Sequence, residues 1–377
     1  MAEMPPAAGL YLHIPFCRSK CAYCDFYSMT DTSLIPRFVT ALCNEINQYE
    51  EEFLEFDTIY LGGGTPSLLS LEEIESIMEA IWRAFTILPD AEITIEINPA
   101  DRGRSELAEL NDLGINRISI GVQSFDDREL LFMGRRHTAE QAAQTLEDAH
   151  GAGFVNIGLD LIYGLPDQTV RRWQSSLGEA LRFDPSHLSC YELEIKPCTP
   201  LGRRLKRGDF ASQNEDTQRD FFVRTSELLE EAGFVHYEVS NFARGMERAS
   251  RHNQKYWDHT PYLGLGPSAH SFRGARRWWN HESLDDYLHA LENGMLPKCG
   301  SETINRDELR MEALFLGLRT RKGIDMQQFK NRHGIDLMEI KGSELREWSR
   351  AGLIEIEGSH IRPTRSGMIV ADALALF

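Results

Sequence analysis

Residues 17–24 read Cys17-Arg-Ser-Lys-Cys21-Ala-Tyr-Cys24, and these three cysteines decide which fold the rest of the chain is expected to adopt. Thiolates are the usual ligands of iron–sulfur clusters, and three of them on one short loop can hold one cluster. A fourth thiolate would complete the cluster for electron transfer, whereas three leave one iron free to bind a small molecule. Cys17, Cys21 and Cys24 therefore predict an iron–sulfur cluster with an open iron.

Zinc is the alternative metal for this loop. Zinc knuckles generally pair two C-x2-C halves, and no second half follows Cys24. The chain has seven cysteines, and this odd number without an export signal argues against a disulfide framework. We therefore expect a metal centre in the reducing cytoplasm. The other four cysteines are expected to be buried thiols: Cys43, Cys190, Cys198 and Cys299.

The charge balance limits which partners the chain can have. Its 377 residues include 40 Lys plus Arg against 58 Asp plus Glu, which gives a formal net charge of -18. Such a surface repels a phosphate backbone and an anionic membrane. No apolar run approaches the roughly 20 residues that cross a bilayer. We expect no nucleic-acid partner, a cytoplasmic location and at most peripheral membrane contact.

Short apolar runs alternate with longer amphipathic stretches from residue 9 to about 240, which is typical of βα units and a parallel sheet. The predicted strands cover residues 9–14, 58–61, 92–97, 117–121, 156–161 and 187–193. The predicted helices cover residues 34–49, 71–85, 104–113, 139–152, 170–181 and 213–232. Six such units predict an α/β fold, a partial (β/α)6 barrel of the TIM type. Ligand sites in such barrels lie at the carboxyl ends of the strands.

The composition changes beyond this barrel. We place a core domain at residues 1–242, a connecting region rich in aromatic residues and glycine at 243–300, and a third unit at 301–377. The third unit has a helical pattern followed by Leu353-Ile-Glu-Ile-Glu-Gly-Ser-His-Ile-Arg-Pro363, which alternates around a Glu-Gly-Ser turn as a hairpin does. Helices followed by a hairpin predict a mainly helical, winged-helix-like domain.

Two further motifs lie at predicted strand ends. Gly62, Gly63 and Gly64 lack side chains, so the backbone there could approach a ligand and donate hydrogen bonds to it. A tight turn without a ligand is the alternative. Glu96 ends the strand 92–97, where its carboxylate could accept hydrogen bonds from ribose hydroxyls or a ligand ammonium. An exposed carboxylate at a strand end is the alternative for Glu96.

A series of motifs runs nearly end to end and carries a family resemblance. In chain order they are Tyr11-Leu-His-Ile-Pro-Phe-Cys17, Gly62-Gly-Gly-Thr-Pro66, Glu96-Ile-Asn-Pro99, Ser119-Ile-Gly-Val-Gln-Ser-Phe125, Asp160-Leu-Ile-Tyr-Gly-Leu-Pro166, Tyr237-Glu-Val-Ser-Asn-Phe242 and Gly264-Leu-Gly-Pro-Ser-Ala-His270. In this order they resemble the radical SAM superfamily, and more closely its HemN/HemW branch of coproporphyrinogen-oxidase-like proteins. The resemblance implies a radical SAM barrel that holds a [4Fe-4S] cluster and S-adenosylmethionine.

The resemblance also implies which residues hold these groups. It places one S-adenosylmethionine, on the cluster, against Tyr11, Gly63 and Glu96. It implies a second one against another set: Tyr23, Gly64, Thr65, Gln123, Arg135 and Asp160. Arg136 follows Arg135, and which of the two reaches a ligand carboxylate stays open. Whether one or two molecules bind also stays open.

The parent activity of this branch is the oxygen-independent oxidative decarboxylation of coproporphyrinogen III by a radical made from S-adenosylmethionine. Three departures from the decarboxylase pattern argue against this activity for this chain. The long arm before the cluster motif is missing, Phe26 stands where the decarboxylases have another Cys, and Arg251-His252-Asn253-Gln-Lys-Tyr256-Trp257 carries the H-N-x-x-Y-W motif of the HemW-type heme chaperones. Whether the chain is an enzyme at all therefore stays open, and no catalytic residue is assigned.

The residues of the H-N-x-x-Y-W motif suit binding of a porphyrin. Histidine is a good heme ligand, and aromatic rings pack well on a flat macrocycle. A hydrogen-bonded structural histidine is the alternative for His252. The resemblance favours a heme chaperone that passes heme to apo-proteins such as respiratory enzymes, with coproporphyrinogen III dehydrogenase as the second hypothesis and another radical enzyme as the third. Homodimer formation is compatible with the resemblance.

Overall fold

The computed structural model describes residues 6–49, 53 and 55–374. Six parallel strands, paired in chain order, form the centre of its main sheet. They are β1 (Ala8–Ile14), β2 (Glu55–Gly63), β3 (Thr86–Ile97), β4 (Arg117–Gln123), β5 (Ile157–Tyr163) and β6 (His187–Glu192). Their parallel order puts all six carboxyl ends at one edge of the sheet, where a site can form.

Helices connect these strands, and most of them cover the outer face of the sheet. They are α1 (Ile35–Gln48), α2 (Leu71–Ala84), α3 (Arg104–Asp112), α4 (Asp127–Met133), α5 (Ala139–Gly151), α6 (Val170–Arg182), α7 (Pro200–Lys206) and α8 (Glu215–Glu231). Local sequence fixes their starts. Ser70 and Glu73, for example, form a capping box that satisfies free N–H groups at the start of α2.

The strands are buried on both faces, as parallel strands covered by helices are. In β1 every residue is buried except Tyr11, and in β5 every residue is buried except Asp160, both of which are half-buried. Glu96 in β3 likewise interrupts a buried run. These breaks in the apolar pattern mark the inner face of the barrel.

The sheet continues beyond the six predicted strands. The added elements are β7 (Val235–Glu238), β8 (Asn241–Ala243), α9 (Arg251–Trp257), β9 (Tyr262–Leu265), β10 (His270–Arg273), β11 (Arg276–Asn280), α10 (Leu284–Glu292) and β12 (Lys298–Thr303). The twelve strands run in the order β12-β11-β10-β9-β1-β2-β3-β4-β5-β6-β8-β7. β9 pairs in parallel with β1, whereas the outermost strands are antiparallel. The predicted connecting region at 243–300 thus extends the core sheet, and the division at 242 and 300 stays a prediction.

The last part of the chain forms a unit with its own small core. Its elements are α11 (Arg306–Gly317), β13 (Ile324–Asp325), α12 (Met326–His333), α13 (Leu337–Arg350), β14 (Ile354–Glu357), β15 (His360–Pro363), α14 (Arg365–Ile369) and α15 (Ala371–Leu374). β14 and β15 form the predicted hairpin, and β13 adds a third antiparallel strand to it. Leu314, Phe329 and Leu345 belong to its buried cluster.

The predicted fold class is confirmed: the molecule is an α/β barrel-like fold with a mostly parallel sheet, followed by a unit of helices and a small antiparallel sheet. One expectation was wrong. Of the four remaining cysteines only Cys190 is buried, whereas Cys198 and Cys299 are exposed, because they lie in a surface turn before α7 and in the edge strand β12. Among the described residues, no helix combines the length and apolar character needed to cross a membrane.

Candidate cofactor site

A cavity of about 400 Å³ opens at the carboxyl ends of β2–β6, and we call it the barrel cavity. Nearly all the predicted site residues line it, although they come from loops far apart in the sequence. The lining includes Cys17, Cys21, Tyr23, Cys24, Gly63, Gly64, Thr65, Glu96, Gln123, Arg135 and Asp160. Of the residues that the resemblance assigns to ligands, Tyr11 and His252 lie outside this lining, as does Gly62 of the glycine run.

The cysteine loop that follows β1 is anchored by backbone hydrogen bonds at several points. The N–H of Cys17 donates to the carbonyl of Met29 at 2.9 Å, and the N–H of Ala22 donates to the carbonyl of Met133 at 2.9 Å. Ala22 also accepts from the N–H of Leu201 at 2.8 Å. The loop is therefore held in place by three separate segments.

The three thiols share one environment. The Thr65 hydroxyl lies 3.4 Å from the Cys17 sulfur, and Nη1 of Arg135 lies 3.5 Å from the Cys21 sulfur. Burial raises the pKa of Cys17, and burial also raises the pKa of Cys24 to about 11. A bound metal would reverse this, because a metal stabilises the thiolate. Phe26, in the position of the decarboxylases' extra Cys, is 65% exposed and borders the cavity.

The glycine run packs against the cysteine loop. A Cβ on Gly64 would lie 2.6 Å from the Phe16 carbonyl oxygen, and one on Gly63 would lie 2.6 Å from the His13 ring. The Gly63 N–H donates to Glu96 at 3.1 Å, and the Gly64 N–H donates to the Ile14 carbonyl at 2.8 Å. The glycines thus have a packing role that the sequence interpretation did not include, and ligand contact by them stays a prediction.

Glu96 projects from the end of β3 into the cavity. It accepts hydrogen bonds from the Tyr60 hydroxyl at 2.9 Å and from the Gly63 N–H at 3.1 Å. Burial and the neighbouring Asp160 raise its pKa to about 7. A cationic ligand beside Glu96 would favour the ionised carboxylate.

Arg135 joins the cysteine loop to the ends of β3 and β4. Nη2 donates to Asn98 Oδ1 at 2.6 Å and to the Gly121 carbonyl at 2.7 Å. Its Nε has no partner among the described residues. Arg136 is exposed and lines only a smaller cavity of about 180 Å³ beside the barrel cavity. Of the two arginines, Arg135 is therefore the one that faces the barrel cavity.

Gln123 is held in a strained backbone conformation at the end of β4. Its φ is +67°, in the left-handed region that residues other than glycine rarely adopt, and the β4–β5 register is irregular between Ile120 and Gln123. Such strain is common where a side chain must be aimed at a site. It places Gln123 in the cavity wall.

The floor of the cavity contains the predicted Asp160 and two buried polar residues that the sequence interpretation missed, Arg117 and His187. Asp160 accepts from the Ser119 hydroxyl at 3.2 Å, and burial raises the Asp160 pKa. Arg117 and His187 are 2% exposed, and His187 Nδ1 has no partner among the described residues. Burial and Arg117 hold the His187 pKa well below its usual value. A charged residue in the buried and otherwise uncharged strand β4 was the signal for Arg117.

Tyr11 and His252 lie behind the cavity wall. The Tyr11 hydroxyl is 3.1 Å from His13 Nδ1, and its ring lies 6.2 Å from that of Tyr60, which lines the cavity. His252 is 1% exposed on α9. Both of its ring nitrogens are hydrogen-bonded at 2.9 Å, Nδ1 to Thr58 and Nε2 to Tyr256. Burial lowers the His252 pKa to about 3, so the imidazole is neutral.

The donor set fits a cluster with an open iron. Three thiol sulfurs line one cavity, together with the cation Arg135 and the acceptor Glu96. Among the described residues, no three His, Cys, Asp or Glu side chains converge on a single point that could hold one ion. Thiolates of an iron–sulfur cluster bind different irons, so a cluster does not require them to converge on one point.

Comparison with known proteins shows which class this protein belongs to. The radical SAM superfamily model matches residues 11–179, and the HemN C-terminal domain model matches residues 304–370. The heme chaperone HemW of Synechocystis is 39% identical over 86% of this chain and 80% of its own length. The heme chaperone HemW of Mycobacterium tuberculosis is 34% identical over 99% of this chain and 95% of its own length. The chain belongs to the HemW family of the radical SAM superfamily.

A solved structure supports the fold. The coproporphyrinogen III oxidase HemN from Escherichia coli superposes with a TM-score of 0.86 over 99% of this chain and 90% of that chain, at 24% identity. At this identity the likeness shows the fold alone.

Proposed function

We propose that this protein is a heme chaperone, which binds heme and transfers it to acceptor apo-proteins such as respiratory enzymes with the help of a [4Fe-4S] cluster and S-adenosylmethionine. One observation carries the proposal: heme chaperones align with the chain over nearly its whole length, as in the Mycobacterium tuberculosis protein. The H-N-x-x-Y-W motif on α9 agrees with it.

Cys17, Cys21 and Cys24 would hold the cluster. When bound and reduced, it would supply one electron for cleavage of S-adenosylmethionine into methionine and a 5'-deoxyadenosyl radical. The chain's own contribution is to anchor the thiols through the backbone contacts of the cysteine loop and to place a cation, Arg135, beside Cys21. A buried cation there would favour the thiolate form.

The barrel cavity would hold S-adenosylmethionine. Glu96 is an acceptor for an ammonium or ribose hydroxyl, Arg135 is a partner for a carboxylate, and Gln123 and Asp160 offer further polar contacts. Tyr23, Gly64 and Thr65 lie in the same wall. Tyr11 would act from behind Tyr60, and direct contact by Tyr11 would require a shift of that ring.

His252 is the motif residue proposed to meet heme. Because its two nitrogens already bond Thr58 and Tyr256, binding iron would require it to give up one of these hydrogen bonds. Asn253, its neighbour, lines the barrel cavity, so α9 lies against the cavity on one side.

The decisive experiment uses purified protein with a reconstituted cluster. We expect one hemin to bind per chain, and we expect the loaded protein to pass heme to an apo-protein such as apomyoglobin, followed by the Soret band. Anaerobic conversion of coproporphyrinogen III to protoporphyrinogen IX would contradict the proposal and support the dehydrogenase hypothesis. His252→Ala is expected to weaken hemin binding.

The remaining partner assignments are also proposals. Cytoplasmic location and the lack of nucleic-acid binding are expectations from the sequence, and homodimer formation is compatible with the family resemblance. Size-exclusion chromatography with and without the cluster tests the dimer.

A further inference from the structure

A second cavity lies at the seam between the core sheet and the C-terminal unit, and we call it the seam pocket. Its volume is about 290 Å³. The rings of Tyr256, Tyr262, Phe272 and Phe315 line it, together with His259 and Arg277. Tyr256 and Tyr262 pack edge to face with ring centres 4.7 Å apart, and Tyr262 and Phe272 are tilted at 6.1 Å. Tyr256 belongs to the H-N-x-x-Y-W motif, so the motif helix borders the barrel cavity through Asn253 and the seam pocket through Tyr256.

The seam pocket also contains a small set of polar groups. His259 Nε2 lies 3.2 Å from Glu312 Oε2, and Arg277 Nη2 lies 2.9 Å from the same oxygen. The imidazole is nearly buried and lies 5.4 Å from the Phe272 ring. Burial lowers the pKa of His259, so the neutral form that binds metals predominates. A carboxylate that orients an imidazole is the usual support of a metal-binding histidine.

The backbone at His259 is strained. α9 ends at Trp257, and the Thr260 N–H returns to the Lys255 carbonyl at 3.0 Å, which makes a Schellman-type turn. This turn puts His259 at φ +51°, where glycine is the usual residue. The chain therefore keeps a histidine where glycine would be less strained, and strain of this kind points to a role for the side chain.

His252 and His259 differ in whether they have a ring nitrogen available to bind iron. His252 lines neither cavity, and both of its nitrogens are bonded. His259 lines a pocket, and only its Nε2 has a hydrogen-bond partner among the described residues.

We propose that the seam pocket takes one side of an iron porphyrin, with His259 as a ligand of the iron and Arg277 as the partner of a propionate carboxylate. The inference rests on the proposed heme-chaperone function and assigns its one heme to this pocket, with His252 acting through its hydrogen bond to Tyr256. Aromatic walls suit the macrocycle, and a guanidinium suits a carboxylate. Arg277 now bonds Glu302 and Glu312, so a propionate would have to replace one of these two carboxylates. The pocket is near the small end of ligand sites, so the other side of the porphyrin would stay outside and open to an acceptor.

Filling the pocket tests the site itself. Leu316 also lines the pocket from α11, and Leu316→Trp should weaken binding of both hemin and iron-free protoporphyrin IX at least tenfold. Met311→Trp, on an exposed position of the same helix, is the matched control and should leave both affinities unchanged.

Removing the imidazole tests the ligand. His259→Gly relieves the strained backbone, so the variant should fold. The Soret band of heme bound to the variant should shift away from its wild-type position, and added imidazole should restore that position. Iron-free protoporphyrin IX should bind as it does to wild type. His289→Gly, at an exposed position near the end of α10, is the control for losing a histidine.

The outcomes separate the site from the function. If wild-type protein binds hemin and neither Leu316→Trp nor His259→Gly changes its affinity or Soret band, the seam pocket is not the site, although the chaperone proposal stands. If wild-type protein binds no hemin, both proposals fail. Loss of iron-porphyrin ligation in His252→Ala alone would assign the iron to His252 instead.

Discussion

Burial of the ionised Glu96 carboxylate destabilises the folded chain, whereas the same carboxylate can bind a cationic ligand. Its pKa is raised to about 7 by burial and by Asp160, despite hydrogen bonds from Tyr60 and Gly63. In the unfolded chain the same group loses its proton near its ordinary value of 4.5. Between these two values the folded state holds more protons than the unfolded state. The contribution of Glu96 to stability therefore falls as the pH rises through this window.

Glu96→Gln should therefore change how stability depends on pH. We expect the free energy of unfolding of the variant, relative to wild type, to rise between pH 5 and pH 8 by on the order of 1 kcal/mol, a value reduced because Glu96 is only half-buried. Urea unfolding of cofactor-free protein measures it. Glu79→Gln, on the exposed face of α2, should show no such rise. A difference that is constant with pH would refute the explanation.

The same substitution should weaken the binding of S-adenosylmethionine. Glutamine keeps the shape but loses the negative charge, and charged hydrogen bonds contribute about 1.5–3 kcal/mol. We expect roughly tenfold weaker binding to cluster-loaded protein by calorimetry, with the iron content unchanged. Equal affinity would remove Glu96 from the site.

Cys21→Ala should leave too few thiolates for a cluster. We expect the brown absorbance and the iron content to be lost almost completely after reconstitution, since two thiolates seldom hold a cubane. Cys198→Ala removes an exposed thiol that does not line the barrel cavity, and it should reconstitute like wild type. An intact spectrum in Cys21→Ala would contradict the cluster assignment.

At the scale of residues, the sequence predicted most of the site residues that line the barrel cavity, because motifs at the carboxyl ends of parallel strands lie at one edge of the sheet. It did not show that Tyr11 and His252 lie behind the wall, since this depends on which ring, Tyr60, stands in front of them. His259 carries no motif, and only the turn that ends α9 brings it into a pocket.

At the scale of elements, the junction of β1 and β2 holds the cysteine loop in place. The end of β2 approaches the backbone of Ile14 and Phe16 so closely that no side chain fits at Gly64. The glycine run thus sets the distance between two loops that both line the barrel cavity.

Gly64→Ala should force these loops apart. A Cβ 2.6 Å from a backbone oxygen cannot be relieved by rotating a side chain, so we expect a loss of about 1–3 kcal/mol in unfolding free energy. Cluster loading should fall with it. Gly178→Ala, in α6 with open space around it, should be neutral or slightly stabilising. Full stability and full iron content in Gly64→Ala would show that the loops adapt.

The six central strands and the C-terminal hairpin were predictable because each is a long enough apolar or alternating run. β9 was not, since Tyr262–Leu265 is only four residues long and is surrounded by glycine and proline. Its pairing with β1 depends on tertiary contacts that no local pattern reports.

At the scale of the whole molecule, α9 separates two cavities that would hold different ligands. Hydrogen exchange can distinguish them. Hemin should slow amide exchange in α9, β9 and α11, whereas S-adenosylmethionine should slow it in the cysteine loop and at the end of β2. α13 lies away from both and should not respond. Protection by hemin confined to the barrel cavity would contradict the two-cavity arrangement.

The left-handed residues of this chain have a consequence for protein engineering. Replacing left-handed residues with glycine is one way to raise thermal stability, and this approach would select Ala100, Gln123 and His259 alike. Ala100→Gly relieves strain without removing a functional group. The same change at Gln123 or His259 would give a more robust protein that has lost a side chain proposed to contact S-adenosylmethionine or heme, so a screen for heat resistance alone would remove the proposed function.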